Sequence, residues 1–242
     1  MAAGEALALE RWPLSSRLIL LGLNVLPFAH LALVAASAAF AAEALIWRAA
    51  AAVATLYLVP PGLARAVRRL SKIPEGRIPV PSTAFFAWWA LLQLQMVFCR
   101  AGFLEEALRL IPGAYSAWLR LWGARIGRLA FWAPGVSVLD RPFVSVGDDV
   151  VFGARVQINP HVFTRDRSGR TELLLGTVRI GDRATVGGYS LLTAGSAIAA
   201  GESPPALLVL PPFSIWKDGR RVKSGTAGGV RPRPAPCSED PS

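Results

Sequence analysis

The stretches VGDDVVFGARVQINPHVF, at residues 146–163, and IGDRATVGGYSLLTAGSAI, at residues 180–198, repeat an apolar residue every six positions. The same spacing begins upstream, so that ten apolar residues fall in step along the second half of the chain. They are Ile126, Trp132, Val138, Val146, Phe152, Ile158, Ile180, Val186, Leu192 and Ile198. A period of six matches neither a helix nor an alternating strand. It predicts a solenoid whose coils each turn three corners, with the apolar residues pointing inward.

Glycine and small residues accompany this apolar repeat. Glycine directly follows five of the apolar positions, at Gly127, Gly147, Gly153, Gly181 and Gly187. Four places after the apolar residue come mostly small or β-branched residues, namely Ala130, Val136, Val150, Val156, Val162, Ala184, Ser190 and Ser196. We expect the glycines to lie at the corners, because glycine tolerates positive φ angles.

The composition indicates a membrane protein. Of the 242 residues, 53% are hydrophobic and 17% are charged, and the mean hydropathy is +0.41. The formal net charge is +10, but no nucleic-acid motif appears, so nucleic acid is not expected as a partner. The arginines flank apolar segments. In that position they can orient the chain in a membrane, contact anionic lipids or bind phosphate groups. Cys99 and Cys237 form no C-x-x-C pair, so neither a disulfide framework nor a thiolate metal site is expected.

Two apolar runs predict a transmembrane helical hairpin and a basic loop within residues 1–81. The first run, residues 18–42, is long enough to cross a bilayer of about 30 Å, and the second ends near Leu63. Arginines precede the first run and follow the second, so both ends are expected on the cytoplasmic side. The alternative is a signal peptide cleaved near residues 36–38, which the second run disfavours. His30, inside the first run, is interpreted as a neutral side chain satisfied by a neighbouring helix.

The rest of the chain divides where the pattern changes. Residues 82–124 hold paired tryptophans, two glutamines and an amphipathic stretch, which predict helices at the membrane interface. The solenoid is expected over 125–203 in three to four coils, interrupted by a protruding loop at 164–177 that leaves the six-residue spacing. Residues 204–225 are expected to pack against a coil face or the membrane, and residues 226–242 to be disordered. The predicted fold class is therefore α + β-solenoid, with N-terminal membrane helices.

His161 is the candidate for chemistry. The chain has two histidines, and His161 lies at a corner of the last hexapeptide before the protruding loop. Its ring is therefore expected to point outward, where an imidazole with a pKa of about 6.5 can act as a general base. A surface histidine without a role fits the position equally well.

Residues 126–202 resemble the left-handed parallel β-helix of hexapeptide-repeat acyltransferases. In the O-acetyltransferase pattern of that family one histidine precedes a loop and the coils resume with V-x-I-G-D, as His161 and VRIGD at 178–182 do here. The stretch HVF…DR followed by V-x-I-G-x-x-A-x-V-G is also similar to the membrane-embedded terminal region of some peptide-polymer synthetases. The resemblance implies a left-handed coil, acyl transfer from acyl-coenzyme A as co-substrate, and no permanently bound cofactor. Family members commonly form trimers with the site between subunits, so a homotrimer is implied as well.

The resemblance also implies roles for individual residues. His161 would deprotonate an acceptor hydroxyl or amine, which then attacks the thioester carbonyl. Asp140 or Asp166 would orient the imidazole, and Asp166 is preferred because it lies in the loop. A backbone N–H of a nearby coil would stabilise the oxyanion, and this role falls to Gly187 and Gly188. The candidates for binding the coenzyme phosphates are Arg167, Arg170 and Lys217.

These features predict a membrane-bound acyltransferase that acts on a saccharide, lipid or peptide acceptor at the cytoplasmic face. Anchoring would hold the enzyme and a lipid-linked acceptor in one plane. A zinc enzyme of the carbonic anhydrase kind needs three histidine ligands, which two histidines cannot supply, so no metal site is expected. The alternative that stays open is a non-catalytic β-helix, a scaffold module within a larger membrane synthase.

Overall fold

The computed structural model describes residues 12–41 and 44–223, and these form a helical part followed by a part built from short strands. The helices are α1 (Leu14–Asn24), α2 (Leu26–Phe40), α3 (Leu45–Leu70), α4 (Thr83–Arg100), α5 (Phe103–Arg109) and α6 (Ala114–Leu121). One strand, β1 (Gly76–Pro79), lies between α3 and α4. The other strands are β2 (Arg125–Ile126), β3 (Phe131–Trp132), β4 (Ser137–Val138), β5 (Val144–Val146), β6 (Val151–Phe152), β7 (Gln157–Asn159), β8 (His161–Arg165), β9 (Thr171–Leu175), β10 (Val178–Ile180), β11 (Thr185–Val186), β12 (Leu191–Thr193), β13 (Ala197–Ile198), β14 (Val209–Leu210), β15 (Ser214–Lys217) and β16 (Arg220–Lys223).

Most of these strands lie in three parallel sheets, and as far as β13 successive strands of these sheets along the chain belong to the first, second and third sheet in order. The first sheet contains β2, β5, β10, β13 and β15, the second β3, β6 and β11, and the third β4, β7, β12 and β14. The register keeps the six-residue repeat in line, because Ile126 pairs with Val146, Val146 with Ile180, and Ile180 with Ile198. The chain therefore winds as a parallel β-helix.

The apolar repeat forms the core of this winding. All ten residues in step are buried, with exposed fractions of 9% or less. Trp132 and Phe152, on adjacent coils, stack with their ring centroids 4.4 Å apart. Strands of two or three residues gain little from each other alone, so their stability comes from the apolar column that the stacked coils bury.

The glycines of the repeat have a different purpose from the one expected. Positive φ angles fall two residues later, at non-glycine residues such as Leu129, Asp149 and Arg183. The five glycines themselves keep φ outside that range, and a Cβ on Gly187 would collide with the backbone of Pro205 and Ala206 on the next coil. The expectation of positive φ at these glycines is therefore wrong. Glycine is needed because neighbouring coils approach too closely for a side chain.

The parallel strands continue beyond the expected end of the solenoid at residue 203. β14 pairs with β12, and β15 with β13, both in parallel register, before β16 folds back antiparallel to β15. The six-residue spacing runs on through Pro204, Leu210 and Trp216. The neighbouring pairs of prolines made this spacing hard to recognise in the sequence. They are compatible with the coil, because proline at a corner removes no hydrogen bond between stacked strands. The predicted disordered tail, 226–242, lies outside the described residues.

The predicted protruding loop at 164–177 is largely a β-hairpin. Strands β8 and β9 pair antiparallel, and β1 adds to the outer side of β9. The carboxylate of Glu75, just before β1, accepts hydrogen bonds from the backbone N and the Oγ1 of Thr177 at 3.0 and 2.6 Å. The segment that leaves helix α3 is thus fastened to the hairpin and to the β-helix together.

The N-terminal helices meet the length and composition of membrane spans. Among the described residues two stretches qualify, Leu14–Phe40, which combines α1 and α2, and Leu45–Leu70, which is α3. Helices α4 and α5 form a pair bent by 79° that would count as a third span. Helix α2 packs along α3, and α4 lies against α1, α2 and α3. The basic loop begins later than expected, because α3 continues through Pro60 and Pro61, both buried, as far as Leu70.

We predict that Gly187→Ala lowers the free energy of unfolding by about 1–3 kcal/mol, because the new Cβ must push the next coil away. Gly102→Ala is the control, since nothing lies within 4 Å of a Cβ at that position. It should change stability by less than about 0.5 kcal/mol. Denaturant titration of the full chain in detergent micelles measures both, and equal stabilities would contradict the close approach of the coils.

Candidate active site

Asp140 and His161 meet at one corner of the β-helix. Val138 pairs with Ile158 on the next coil; Asp140 follows Val138 by two residues and His161 follows Ile158 by three. His161 is the first residue of the hairpin strand β8, and its side chain is 17% exposed. The ring is therefore outside the apolar column, as the sequence predicts, but it is largely covered by other parts of the protein.

The two side chains form an imidazole–carboxylate pair. The Nδ1 of His161 contacts the Oδ2 of Asp140, and the Asp140 side chain is fully buried. Asp140 has a φ of 42°, in the left-handed region that aspartate tolerates better than most residues. With an ionised carboxylate as acceptor, Nδ1 carries the proton and Nε2 keeps its lone pair. Nε2 makes no hydrogen bond to the described part of the chain, so it is free to act as a base.

The pKa of His161 reflects two opposing effects. Burial disfavours the charged imidazolium and lowers the pKa, whereas the charge and hydrogen bond of Asp140 raise it. The effect of Asp140 prevails, and the pKa of His161 lies above its ordinary value of 6.5. The pair therefore produces a stronger base than an isolated histidine.

Helix α4 contacts both members of the pair through Trp88. The indole Nε1 of Trp88 donates a hydrogen bond of 2.9 Å to the Oδ1 of Asp140. The Trp88 ring also stands edge-on to the imidazole of His161, with centroids 4.9 Å apart, and Phe163 lies 6.2 Å from the same imidazole. The sequence indicated the Trp88 region only as a membrane interface, and its contact with the site was missed.

Asp166, the preferred partner of His161, is engaged elsewhere. It lies in the hairpin turn, where it accepts hydrogen bonds from Ser168 and Arg170, including one of 3.0 Å from the Arg170 Nε. The bonds from Ser168 and Arg170 lower the pKa of Asp166 to about 2. The preference for Asp166 is therefore corrected, and Asp140 is the carboxylate that contacts the imidazole.

The other predicted site residues are not gathered around this pair. Gly187 and Gly188 lie between the second and third sheets, at a different corner from His161; close stacking on Pro205, Ala206 and Ala154 explains their lack of side chains. Arg167 and Arg170 are exposed near the hairpin tip, and Lys217 is exposed at the end of β15. Because these two glycines are not next to His161 in the β-helix, they do not supply the backbone N–H that was predicted to stabilise the oxyanion there.

A buried polar cluster lies directly beside Asp140. The Arg141 side chain is fully buried; its Nη2 binds the Glu105 Oε1 at 2.5 Å and its Nη1 binds the Gln95 Oε1 at 2.8 Å. Glu105 also accepts hydrogen bonds from Tyr115 and Arg109. Helices α4, α5 and α6 each contribute to this cluster, which joins them to the first coil of the β-helix.

Sequence reasoning missed this cluster. Its only advance signal was polar or charged residues, such as Gln95 and Glu105, within apolar stretches. In the described residues, no group of three or more His, Cys, Asp or Glu side chains is placed to hold a metal ion. The Asp140–His161 pair supplies an activated imidazole at this corner.

Solved structures similar to this chain include hexapeptide-repeat acetyltransferases, the class that the sequence resembles. One from Vibrio cholerae O1 biovar eltor, complexed with acetyl coenzyme A, is 20% identical and covers 55% of this chain and 88% of that chain, with a TM-score of 0.38. A galactoside acetyltransferase in complex with coenzyme A is 12% identical, with 50% and 78% covered and a TM-score of 0.34. A maltose O-acetyltransferase from Clostridium difficile 630 is 18% identical, with 55% and 87% covered and a TM-score of 0.34.

No protein-family model and no curated protein matches the chain. At the identities and TM-scores of the similar structures, likeness does not decide the chemistry. The function is therefore inferred from the residues of the site.

We predict that Asp140→Asn moves the pKa of His161 from above 6.5 to below it. The substitution removes the charge that raises the pKa and leaves the burial that lowers it. NMR titration of ¹⁵N-histidine-labelled protein measures the change, and Asp166→Asn is the control that should leave the titration unchanged. A pKa that stays above 6.5 in Asp140→Asn would show that another group holds the imidazolium.

Arg141→Leu should lower the free energy of unfolding by about 3–5 kcal/mol, because it removes a main partner of the buried Glu105 carboxylate. Arg77→Ala provides the contrast, since the Arg77 side chain is 59% exposed in its pair with Glu172. That change should cost less than about 1 kcal/mol. Denaturant titration in detergent compares the two, and similar losses would mean that the cluster is not a joint between the two parts.

Proposed function

We propose that this protein is a membrane-bound acyltransferase of the hexapeptide-repeat type, which uses His161 as general base and acyl-coenzyme A as donor. The single observation that carries the proposal is the Asp140–His161 pair at a corner of the β-helix. The pKa of its imidazole is raised, and its Nε2 has no hydrogen-bond partner among the described residues. A scaffold has no need of a buried carboxylate that activates one imidazole, since burying such a charge costs stability. The left-handed sense of the coil is part of the proposal.

The proposed reaction begins when the Nε2 of His161 takes the proton from an acceptor hydroxyl or amine. The acceptor oxygen or nitrogen then attacks the thioester carbonyl, and the carbonyl oxygen becomes an oxyanion. Collapse of this tetrahedral intermediate breaks the carbon–sulfur bond. The imidazolium returns the proton to the departing coenzyme A thiolate, so the products are the ester or amide and free coenzyme A. Throughout, Asp140 keeps Nδ1 protonated and stabilises the imidazolium.

Membrane attachment is proposed from the helical part. Apolar side chains such as Phe28, Leu45 and Trp47 are exposed on helices α2 and α3, at 71%, 81% and 62%, which in water would be a large unfavourable surface. Basic residues at the end of α3 and after it, including Arg69 and Lys72, favour the cytoplasmic side for the β-helix. A lipid-linked acceptor would then diffuse in the same plane as the site.

Phosphate binding and assembly follow the same proposal. Arg167 and Lys217 are exposed cations available for the coenzyme phosphates, whereas Arg170 is partly neutralised by Asp166. A homotrimer, the assembly that the resemblance implies, is part of the proposal.

The proposal is tested with the full chain in lipid nanodiscs, acetyl-CoA and a panel of sugar, lipid and peptide acceptors, by following release of the coenzyme A thiol. Thiol release should depend on an acceptor, and His161→Ala should reduce it about 10²- to 10⁴-fold, the contribution of a general base. Tyr189→Ala, an exposed residue at another corner, should leave it unchanged.

Thermal unfolding with added coenzyme A separates binding from chemistry. Wild type and His161→Ala should both be stabilised, by about 2.7 kcal/mol when the ligand is at 100 times its Kd. Acceptor-dependent release that is undiminished in folded His161→Ala protein would overturn the role of His161. If the wild type showed no thiol release and no stabilisation by coenzyme A, the result would favour the scaffold.

A further inference from the structure

We propose that Trp88 of helix α4 is a positioning residue for the Asp140–His161 pair, so that the helical part of the chain completes the active site. The inference rests on the proposed function for its catalytic meaning. Its structural basis is one side chain that contacts both members of the pair: the indole N–H binds Asp140 and the indole ring packs against His161.

The hydrogen bond from Trp88 determines which oxygen of Asp140 is available. Trp88 and Asp140 have exposed fractions of 0% and 1%, so the 2.9 Å bond between Nε1 and Oδ1 is shielded from solvent. With Oδ1 occupied, Oδ2 is left for the Nδ1 of His161. A carboxylate bound at both oxygens has one orientation, whereas one bound at a single oxygen can rotate and tilt.

The ring of Trp88 limits the imidazole as well. The two ring centroids are 4.9 Å apart and the planes are inclined by 64°, an edge-to-face arrangement that aromatic pairs favour. Phe163 approaches the same imidazole with a centroid distance of 6.2 Å. Rotation of the imidazole away from Asp140 would have to displace the fully buried ring of Trp88 or the more exposed ring of Phe163.

Helix α4 also fixes the backbone beside Asp140. Gln95 lies seven residues after Trp88, two turns along the same face of the helix. Its Oε1 accepts hydrogen bonds from the backbone N of Arg141 at 3.0 Å and from the Arg141 Nη1 at 2.8 Å. Helix α4 therefore holds Asp140 by its side chain and by the peptide that follows it.

This arrangement has a specific spectroscopic consequence. A fixed Oδ2 acceptor keeps the proton of the neutral imidazole on Nδ1, and so leaves the lone pair on Nε2, where the acceptor must be deprotonated. Without the Trp88 N–H, the carboxylate loses its fixed orientation and both tautomers of His161 become populated. We therefore expect the rate of the chemical step to fall while substrate binding is unchanged.

The experiment replaces Trp88 by Phe in the full chain and reads the ¹⁵N shifts of His161 above its pKa, with His30 as the other histidine signal. Trp89→Phe is the matched control: the neighbouring Trp89 donates an indole bond of the same 2.9 Å length, but to Asn24 of helix α1. We expect one Nδ1–H tautomer in wild type and Trp89→Phe, and a mixture in Trp88→Phe. Turnover should fall about ten- to hundredfold in Trp88→Phe alone, the loss expected for a hydrogen bond to a charged group, with KM unchanged.

A single Nδ1–H tautomer in folded Trp88→Phe protein would overturn the positioning role, whatever the outcome for His161→Ala. The tautomer measurement needs no substrate, so it decides this proposal even where no acceptor is turned over. Should Trp88→Phe fail to fold, benzothienylalanine at position 88 keeps the size of the ring and replaces only the N–H by sulfur. A tautomer mixture in that protein supports the positioning role, and a single tautomer contradicts it.

Discussion

The burial of Asp140 and Arg141 at one corner of the first coil is the constraint on which the rest of the structure depends. Two adjacent charged residues with exposed fractions of 1% and 0% are costly to bury unless every polar atom finds a partner. Trp88 and Gln95 on helix α4, and Glu105 on helix α5, supply most of those partners. The helices therefore supply most of the hydrogen-bond partners of this corner, while the buried Arg141 Nε has none among the described residues. The candidate site lies at the joint between the helices and the β-helix.

The β-helix gives the site its rigidity. Its coils stack in register around the apolar column, so Asp140 on one coil and His161 on the next are held at a fixed separation. The hairpin that starts at His161 is in turn paired with β1, which follows helix α3 in the chain. A site built on strands and braced by a helix is better preorganised than one built on a free loop.

The sequence predicted the features that repeat and missed those that join distant segments. A period of six identified ten buried residues of the column but not its continuation through Leu210. The position of His161 before the loop made it the candidate for chemistry. The place of Asp166 in the loop favoured it as the partner, but the actual partner, Asp140, is 21 residues away on the preceding coil. The contacts of Trp88, Gln95 and Glu105 with that corner span 52, 46 and 36 residues and leave no periodic trace. The repeat also suggested that its glycines adopt positive φ angles. The actual reason, the close approach of neighbouring coils, is visible only once the coils are stacked.

The most direct measurement is an electron cryomicroscopy structure of the full chain in nanodiscs with coenzyme A bound. We expect the coenzyme sulfur at the Asp140–His161 corner, close enough to the His161 Nε2 for an acceptor atom to lie between them at about 3–3.5 Å from its reaction partners. The Trp88 indole should still contact Asp140 in that complex. Coenzyme A bound at another corner, or an imidazole turned away from Asp140, would contradict both the site and the chemistry assigned to it.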